Sequence, residues 1–407
     1  MPIDLEFVRS QFPAFSEPSL SHWLFFENAG GSFPCGVVAN RLAEFYARTK
    51  MQPYWPAQPS TEGGEAMDDA KSRLATWLGV PASWLSVGPS TTQNTYVLSK
   101  AFGDWLSKGD AIIVTNQDHE ANSGPWRRLE ARGIEVREWS IDSTSGRLNP
   151  SGLEALVDGK VKLVTFPHCS NIVGEINPVA EWVGLVHAAG ALACVDGVSY
   201  APHGLPNVQA LGADIYLFSS YKTFGPHQGV MVMSPELAEQ LPNQGHVFNG
   251  YDPTKRLTPA GPDHAQTAAL AGIIDYFEAF DAHHYPQLDR SGAPDRVHEL
   301  FRAHELELTE QLLAQVEVLG RARLIGPREA TRKAPTISLL CDRPGMALAE
   351  DLAARGIIAG GGDFYGGRVL DAMGIDRDFG VLRLSFVHYT SSADIENLSS
   401  ALTELLA

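Results

Sequence analysis

The sequence predicts an α/β fold built on a mainly parallel sheet, followed by a smaller α+β unit. Three observations carry that prediction. Between residues 111 and 233, short apolar runs alternate with helical patterns. That alternation requires crossover connections, which set strands parallel and bury both faces of the sheet. Beyond residue 290 the pattern changes to one long helical stretch, two more strand-like runs and a closing helix. Between the two regions, Asp281–Asp295 collects His, Pro, Gly and Asp, the composition of a boundary.

The expected strands of the first unit are Ala111–Thr115 (AIIVT), Val161–Phe166 (VKLVTF), Leu192–Asp196 (LACVD), Ile215–Ser219 (IYLFS) and Gly229–Met233 (GVMVM). Helical periodicity is expected over Thr92–Leu106, Asn122–Arg132, Ser151–Leu156, Val179–Ala189 and Asn207–Leu211. One continuous helix is expected over Ala265–Ala282, and a longer one over Asp295–Leu319. Runs at Thr336–Cys341 and Gly380–Phe386 and a final helix Ser392–Leu406 complete the small unit. The expected organisation is an N-terminal segment, 1–20, packing with the small domain; a large domain, 21–285; and a small domain, 286–407.

Composition narrows the function. The chain has 407 residues, a net charge of −17, and 44% hydrophobic and 19% charged residues. Nucleic-acid binding is not expected, because it depends on cationic neutralisation of phosphates. No run reaches the roughly 18 apolar residues of a membrane span, so no membrane partner is expected. Met1–Glu6 shows no basic start and no apolar core of a leader, which makes a cytoplasmic location the default expectation. Cys35, Cys169, Cys194 and Cys341 form no C-x-x-C pair, so neither a metal site nor a disulfide framework is expected.

Four local patterns are compatible with chemistry, but none carries it alone: most lysines after strands are simply solvated, and a lone histidine is usually a surface or capping residue. Lys222 follows a strand and two serines in Ser219-Ser-Tyr-Lys-Thr-Phe-Gly-Pro226, a place for a Schiff base or for a solvated lysine. Asp196 ends a strand, where a carboxylate pairs with a protonated ring nitrogen or caps a turn. Gly88-Pro-Ser-Thr-Thr-Gln-Asn94 precedes a helix, where hydroxyls and first-turn N–H groups hold a phosphate or simply cap the helix. His119 follows strand AIIVT, suited to stacking on a ring and moving protons, or to capping.

The ordered set is far more specific. G-x-S-T-T, D-H-x-A-N, H-x-S-N-x-x-G (His168–Gly174), V-D-G and S-x-Y-K-x-x-G-P follow one another in the chain. With Phe25-Phe-Glu-Asn-Ala-Gly30 and Arg383-Leu-Ser-Phe386, this sequence resembles the class V aminotransferase family, in its cysteine desulfurase and selenocysteine lyase-like branch, over about residues 23–403. The resemblance implies a pyridoxal 5′-phosphate (PLP)-dependent transferase type I fold with a seven-stranded, mainly parallel sheet. It implies that Lys222 carries PLP as a Schiff base and shuttles protons, that Asp196 binds the pyridine nitrogen and that His119 stacks on the ring. Thr91, Thr92, Ser219 and Tyr221 would hold the phosphate; Ser199 stands where many relatives have a ring-facing Gln. Ala29, Asn171 and Arg383 would bind the substrate, with Arg383 clamping its carboxylate. A homodimer is implied, in which Gly261 reaches the partner's phosphate.

The chain departs from this pattern in one loop. Ile357–Arg368 contains no cysteine where a desulfurase carries its sulfur-accepting thiolate, and Ala359 stands near the place of a second arginine. The Gly360–Gly362 run fits either a mobile lid or a turn. The expected reaction is therefore Cβ–S elimination on an amino acid of cysteine type, with transamination or epimerisation on the same scaffold as the alternative. Tyr54, Trp55, Phe364 and Tyr365 are candidate pocket aromatics, or packing residues.

Overall fold

A computed structural model describes residues 2–406. Its main sheet has seven strands in the spatial order Leu85–Gly88, Gly229–Met233, Ile215–Ser219, Leu192–Asp196, Val161–Pro167, Ala111–Thr115 and Glu135–Trp139. Pairing is parallel from Ile215–Ser219 through Glu135–Trp139 and antiparallel at both contacts of Gly229–Met233. All five strands expected from the sequence are present. Two more, Leu85–Gly88 and Glu135–Trp139, complete the sheet. The first is only four residues long, and the second is an edge strand with mostly solvent-facing residues, so neither carries an apolar run.

The sheet is buried on both faces, as helical crossovers require. Trp139, Phe166, Trp182, Val195 and Phe218 belong to one apolar cluster. Ile112, Val114, Cys194, Leu217 and Met231 belong to another that also holds Phe102 and Trp126, with Cys194 and Leu217 alternating with Val195 and Phe218 along their strands.

The expected helix over Ala265–Ala282 is interrupted. Two helices, His264–Ala269 and Ala271–His284, meet at Leu270. There the chain tightens into three-residue turns, Leu270 N–H bonding Thr267 O and Ile273 N–H bonding Leu270 O. Gly272, next in line, lies against Val38 of helix Gly36–Arg48, where a Cβ would come within 2.8 Å of Val38.

Beyond helix Ala293–Glu317, a four-stranded antiparallel sheet runs Gly360–Gly362, Val381–Ser385, Thr336–Cys341, Ala322–Ile325. Helices Gly345–Ala353 and Ser392–Leu406 pack on it around Leu339, Leu352, Leu384 and Leu398. The N-terminal helix Leu5–Ser10, capped by Asp4, packs at the junction of this unit and the main one. Arg9 donates to Tyr389 O and pairs with Asp394, while Phe12 meets Phe224, Tyr276 and Tyr389 edge-on.

One short pairing has consequences for chemistry. Leu24–Phe25 runs parallel to Ile357–Ile358, and Glu27 bridges to Ser385. The first strand after the N-terminal segment is thereby set beside Arg383, more than 350 residues away in sequence.

Candidate active site

The carboxyl ends of Leu192–Asp196 and Ile215–Ser219 open into one cavity, as expected for ligand sites in open α/β sheets. Thr91, Thr92, His119, Asn171, Asp196, Ser199, Ser219, Tyr221 and Lys222 all line it. A contiguous cleft bounded by Thr92, His119, Asn171, Tyr221 and Lys222 continues outward to Ala29, Glu27, Phe364, Tyr365 and Arg383. Every sequence-derived site residue but one is therefore brought together. Gly261 lies apart, lining a separate groove with Tyr54, Phe248 and His264.

Lys222 is 8% exposed and lies on a one-turn 3₁₀ segment, Ser220–Lys222, directly after its strand. The following turn is strained: Phe224, fully buried, has φ 63°. It is held by Phe224 N–H to Ser32 Oγ at 2.8 Å and by Cys35 N–H to Phe224 O. Burial lowers the Lys222 pKa to about 8; the positive charge of Arg383 adds to the effect, while Asp196 and Glu27 oppose it.

Burial raises the Asp196 carboxyl to about 6, against the stabilising N–H of Val198 and the charge of Lys222. Its Oδ1 accepts from Val198 N–H at 2.8 Å, and its other oxygen receives no protein donor. His119 caps helix Glu120–Arg127, its Nδ1 accepting Ala121 N–H at 3.0 Å. That contact leaves the proton on Nε2, and burial together with Lys222 and Arg383 holds the ring neutral, with a pKa of about 3.

At the other end of the cavity, Ser90 caps helix Thr91–Trp105, and Thr91 Oγ1 lies 2.8 Å from Ser219 Oγ. Hydroxyls at the N-terminus of a long helix form an anion cradle. The donor set fits PLP from end to end: an anion cradle, a buried amine, a flat neutral imidazole and a carboxylate with a spare oxygen.

Four features here were not anticipated from sequence. Glu27 forms an ion pair with Arg383 at 2.6 Å. The Phe364 ring lies across the same guanidinium, 3.8 Å from it. Cys169 lines the inner cavity, but burial pushes its thiol up to about 12, so it stays protonated and weakly nucleophilic. Finally, the cysteine-free loop is pinned. Asn171 Nδ2 donates to Phe364 O at 2.9 Å, Glu120 N–H to Tyr365 O at 2.8 Å, and Arg368 pairs with Glu120 at 3.2 Å. Phe364 and Tyr365 hold φ of 49° and 57°, a strained pair that these contacts retain. The Gly360–Gly362 run, expected as a mobile lid or a turn, is neither: it is a strand paired with Val381–Arg383, and the residues after it form a wall of the cleft. Tyr54 and Trp55 lie away from it and are largely exposed.

The comparisons agree with this architecture. The family model for aminotransferase class-V matches residues 24–398. The chain belongs to the class V aminotransferase family, whose members are PLP-dependent enzymes. It is 31% identical to the "Aminotransferase-like protein FGM3" of Gibberella zeae, over 99% of this chain and 98% of that protein. It is 29% identical to a probable cysteine desulfurase of Mycolicibacterium paratuberculosis over 97% of this chain, and spans 57% of that relative's length. In structure it is similar to the apo cysteine desulfurase of Thermococcus onnurineus NA1, with a TM-score of 0.87 and 23% identity over 100% of this chain and 98% of that one. Among the described residues, no helix is long and apolar enough to cross a membrane.

Proposed function

We propose that the protein uses PLP to cleave the Cβ–S bond of an amino acid of cysteine type by elimination, releasing sulfur without an enzyme persulfide. The observation that carries this reading is the pinned loop Ala359–Arg368, which offers no thiol, together with a cavity whose one lining cysteine, Cys169, is held protonated. When bound, PLP accepts the electron pair left at Cα on proton loss.

The chain's own residues do the rest. Lys222 Nζ would hold the cofactor and, as a free amine, would take the Cα proton. The electron pair expels the sulfur at Cβ, and the proton on Lys222 Nζ passes to the leaving thiolate. Asp196 would pair with the ring nitrogen, His119 would cover the ring face, and Thr91, Thr92, Ser219 and Tyr221 would hold the phosphate. Arg383 orients the substrate carboxylate, with Asn171 beside it. Ser199 and Ala29 complete the cofactor and substrate walls.

The test is to incubate PLP-loaded protein with a panel of L- and D-amino acids while following the cofactor spectrum and products. Pyruvate, ammonia and sulfide from cysteine are the expected products. Stoichiometric conversion to pyridoxamine phosphate, reversed by a keto acid, would overturn elimination in favour of transamination; scrambled Cα chirality without a keto product would favour epimerisation.

We further propose a homodimer and a division into a large and a small domain near residues 281–295. The dimer reading is supported by an exposed apolar surface by Gly261: Val247, Phe248 and Tyr251 are 90%, 75% and 94% exposed, and Phe248 and Tyr54 line the same groove as Gly261. Replacing Phe248 and Tyr251 together with Asp is expected to shift the molar mass in light scattering from dimer to monomer. The same change is expected to weaken PLP binding, because Gly261 would no longer reach a second site.

A further inference from the structure

The outer cleft is larger than cysteine needs. Its inner end, by Thr92, His119 and Lys222, is the place proposed for the cofactor, and Arg383 marks the place of the substrate carboxylate. The same cleft is also lined by Tyr96 and Tyr365, and the whole recess holds about 440 Å³, a size class that takes ligands far larger than a two-atom side chain. Beyond Cα, cysteine has one carbon and one sulfur. Both would lie beside the reacting atoms and leave the two tyrosines bare.

Both tyrosines stand on fixed backbone. Tyr96 follows Thr92 by one turn of helix Thr91–Trp105, so the two share a face. The Arg128 guanidinium lies over its ring at 5.1 Å. Tyr365 is held at φ 57°, its N–H donating to Asp363 Oδ1 at 3.1 Å and its carbonyl accepting from Glu120 N–H. Its ring lies 5.4 Å from that of His119. A left-handed backbone is unfavourable for an aromatic residue, and such strain gathers at ligand sites. Even so, Tyr96 and Tyr365 stay 40% and 72% exposed. Aromatic surface held rigid and left exposed inside a cleft suits an apolar group of the ligand. The charges of the lining are engaged with one another: Glu120 pairs with Arg368 at 3.2 Å and Glu27 with Arg383 at 2.6 Å. The outer cleft therefore favours an apolar substituent over a charged one.

We propose that the substrate is an S-substituted cysteine, a thioether whose apolar substituent, the size of a benzyl group, lies in the outer cleft against Tyr96 and Tyr365. This rests on the elimination reading and deepens it. The substrate amine goes to the cofactor and the carboxylate to Arg383, so the group on sulfur is the part left to reach outward. The Cβ–S bond breaks and its electron pair goes to sulfur. The proton taken from Cα passes from Lys222 Nζ to that sulfur, which leaves as a complete thiol with its carbon substituent. The rest of the amino acid takes up one water and ends as pyruvate and ammonia, and no oxidant or reductant enters. Sulfur that leaves on carbon needs no acceptor thiolate, in agreement with the cysteine-free loop Ile357–Arg368.

The experiment gives the PLP-loaded enzyme S-benzyl-L-cysteine and L-cysteine separately and follows pyruvate. The kcat/KM for S-benzyl-L-cysteine is expected to exceed that for L-cysteine by about tenfold or more, the worth of burying much of a phenyl ring. Binding is read apart from turnover by titrating the cofactor absorbance with two analogues that carry no sulfur. L-2-Amino-5-phenylpentanoate, the carbon counterpart of S-benzyl-L-cysteine, is expected to bind about tenfold tighter or more than L-2-aminobutyrate, the counterpart of cysteine. Tyr96→Ala, at an exposed helix position that alanine suits, and Tyr365→Ala are each expected to shrink both ratios by about threefold or more. A wild-type ratio of one or less in either measurement, or ratios that neither variant changes, would overturn the proposal and leave elimination standing. No pyruvate from either substrate would overturn the elimination reading, and this proposal with it.

Discussion

Lys222→Ala is expected to lose the PLP absorbance that borohydride reduces onto the protein, and with it turnover, by at least about 10³-fold, since under the proposed function it removes both the covalent tether and the proton carrier. The environment of Lys222 explains why an exposed lysine would not substitute. The neutral amine is the nucleophile, and a pKa of about 8 makes a substantial fraction neutral near physiological pH, where an ordinary lysine at 10.5 would be almost wholly protonated. Cofactor loading of the apoprotein is expected to accelerate as pH rises and to level off above about 8, measured as the rate at which the absorbance appears.

The same pKa has a cost in stability. The folded-state value lies below the unfolded one, so between pH 8 and 10.5 the unfolded chain binds more protons. Stability then rises with pH across that window, and at pH 7 the buried lysine destabilises the cofactor-free fold by about 3 kcal/mol. Lys222→Met, which preserves side-chain volume, is expected to melt at a higher temperature than cofactor-free wild type at pH 7. The difference should close as the pH approaches 10.5. A lower melting temperature at pH 7 would show that Lys222 is structural rather than held ready for chemistry.

Much of this site was legible in sequence because its parts are local. Asp196 ends, and Lys222 and His119 follow, strands that apolar runs announce, and their order along the chain carries more information than any one residue. The main sheet was legible for the same reason, except where a strand lacked an apolar run, as at Glu135–Trp139. The Glu27–Arg383 pair was not legible, because two residues 356 apart in sequence meet only through the pairing of Leu24–Phe25 with Ile357–Ile358. The fixed character of the Phe364–Tyr365 wall was hidden as well. Glycines on both sides point equally to mobility and to a turn, whereas the structure has a short strand at Gly360–Gly362 followed by backbone oxygens that accept from Asn171 in a distant loop and from Glu120 at a helix start. Cys169 shows the limit from the other side: it lies within the His168–Gly174 motif beside Asn171, but only its burial holds its thiol protonated.

Gly229→Ala is expected to damage fold and site together, although residue 229 is not among the residues proposed to hold the cofactor. Gly229 pairs with Gly88 on one side and Ser219 on the other, at the point where helix Thr91–Trp105 begins. A Cβ there would lie 2.3 Å from Ser90 C and Thr91 N, a clash with backbone that no rotamer change relieves. The helix start must move, and it is tied to this strand by Asn94 Nδ2 donating to Gly229 O at 3.1 Å. Overpacking of this kind costs about 1–3 kcal/mol, visible as a lower melting temperature. The displacement also pulls Thr91 away from Ser219, now 2.8 Å apart, and so opens the anion cradle. PLP affinity is expected to fall about tenfold or more, as for loss of one or two charge-assisted contacts, read by titrating apoprotein with the cofactor. Gly184→Ala is the matched control: it lies in helix Val179–Ala188 with nothing within 4 Å of its added Cβ, and is expected to leave cofactor binding unchanged. If Gly229→Ala lowers the melting temperature but leaves PLP affinity intact, the phosphate is held somewhere other than the N-terminus of Thr91–Trp105.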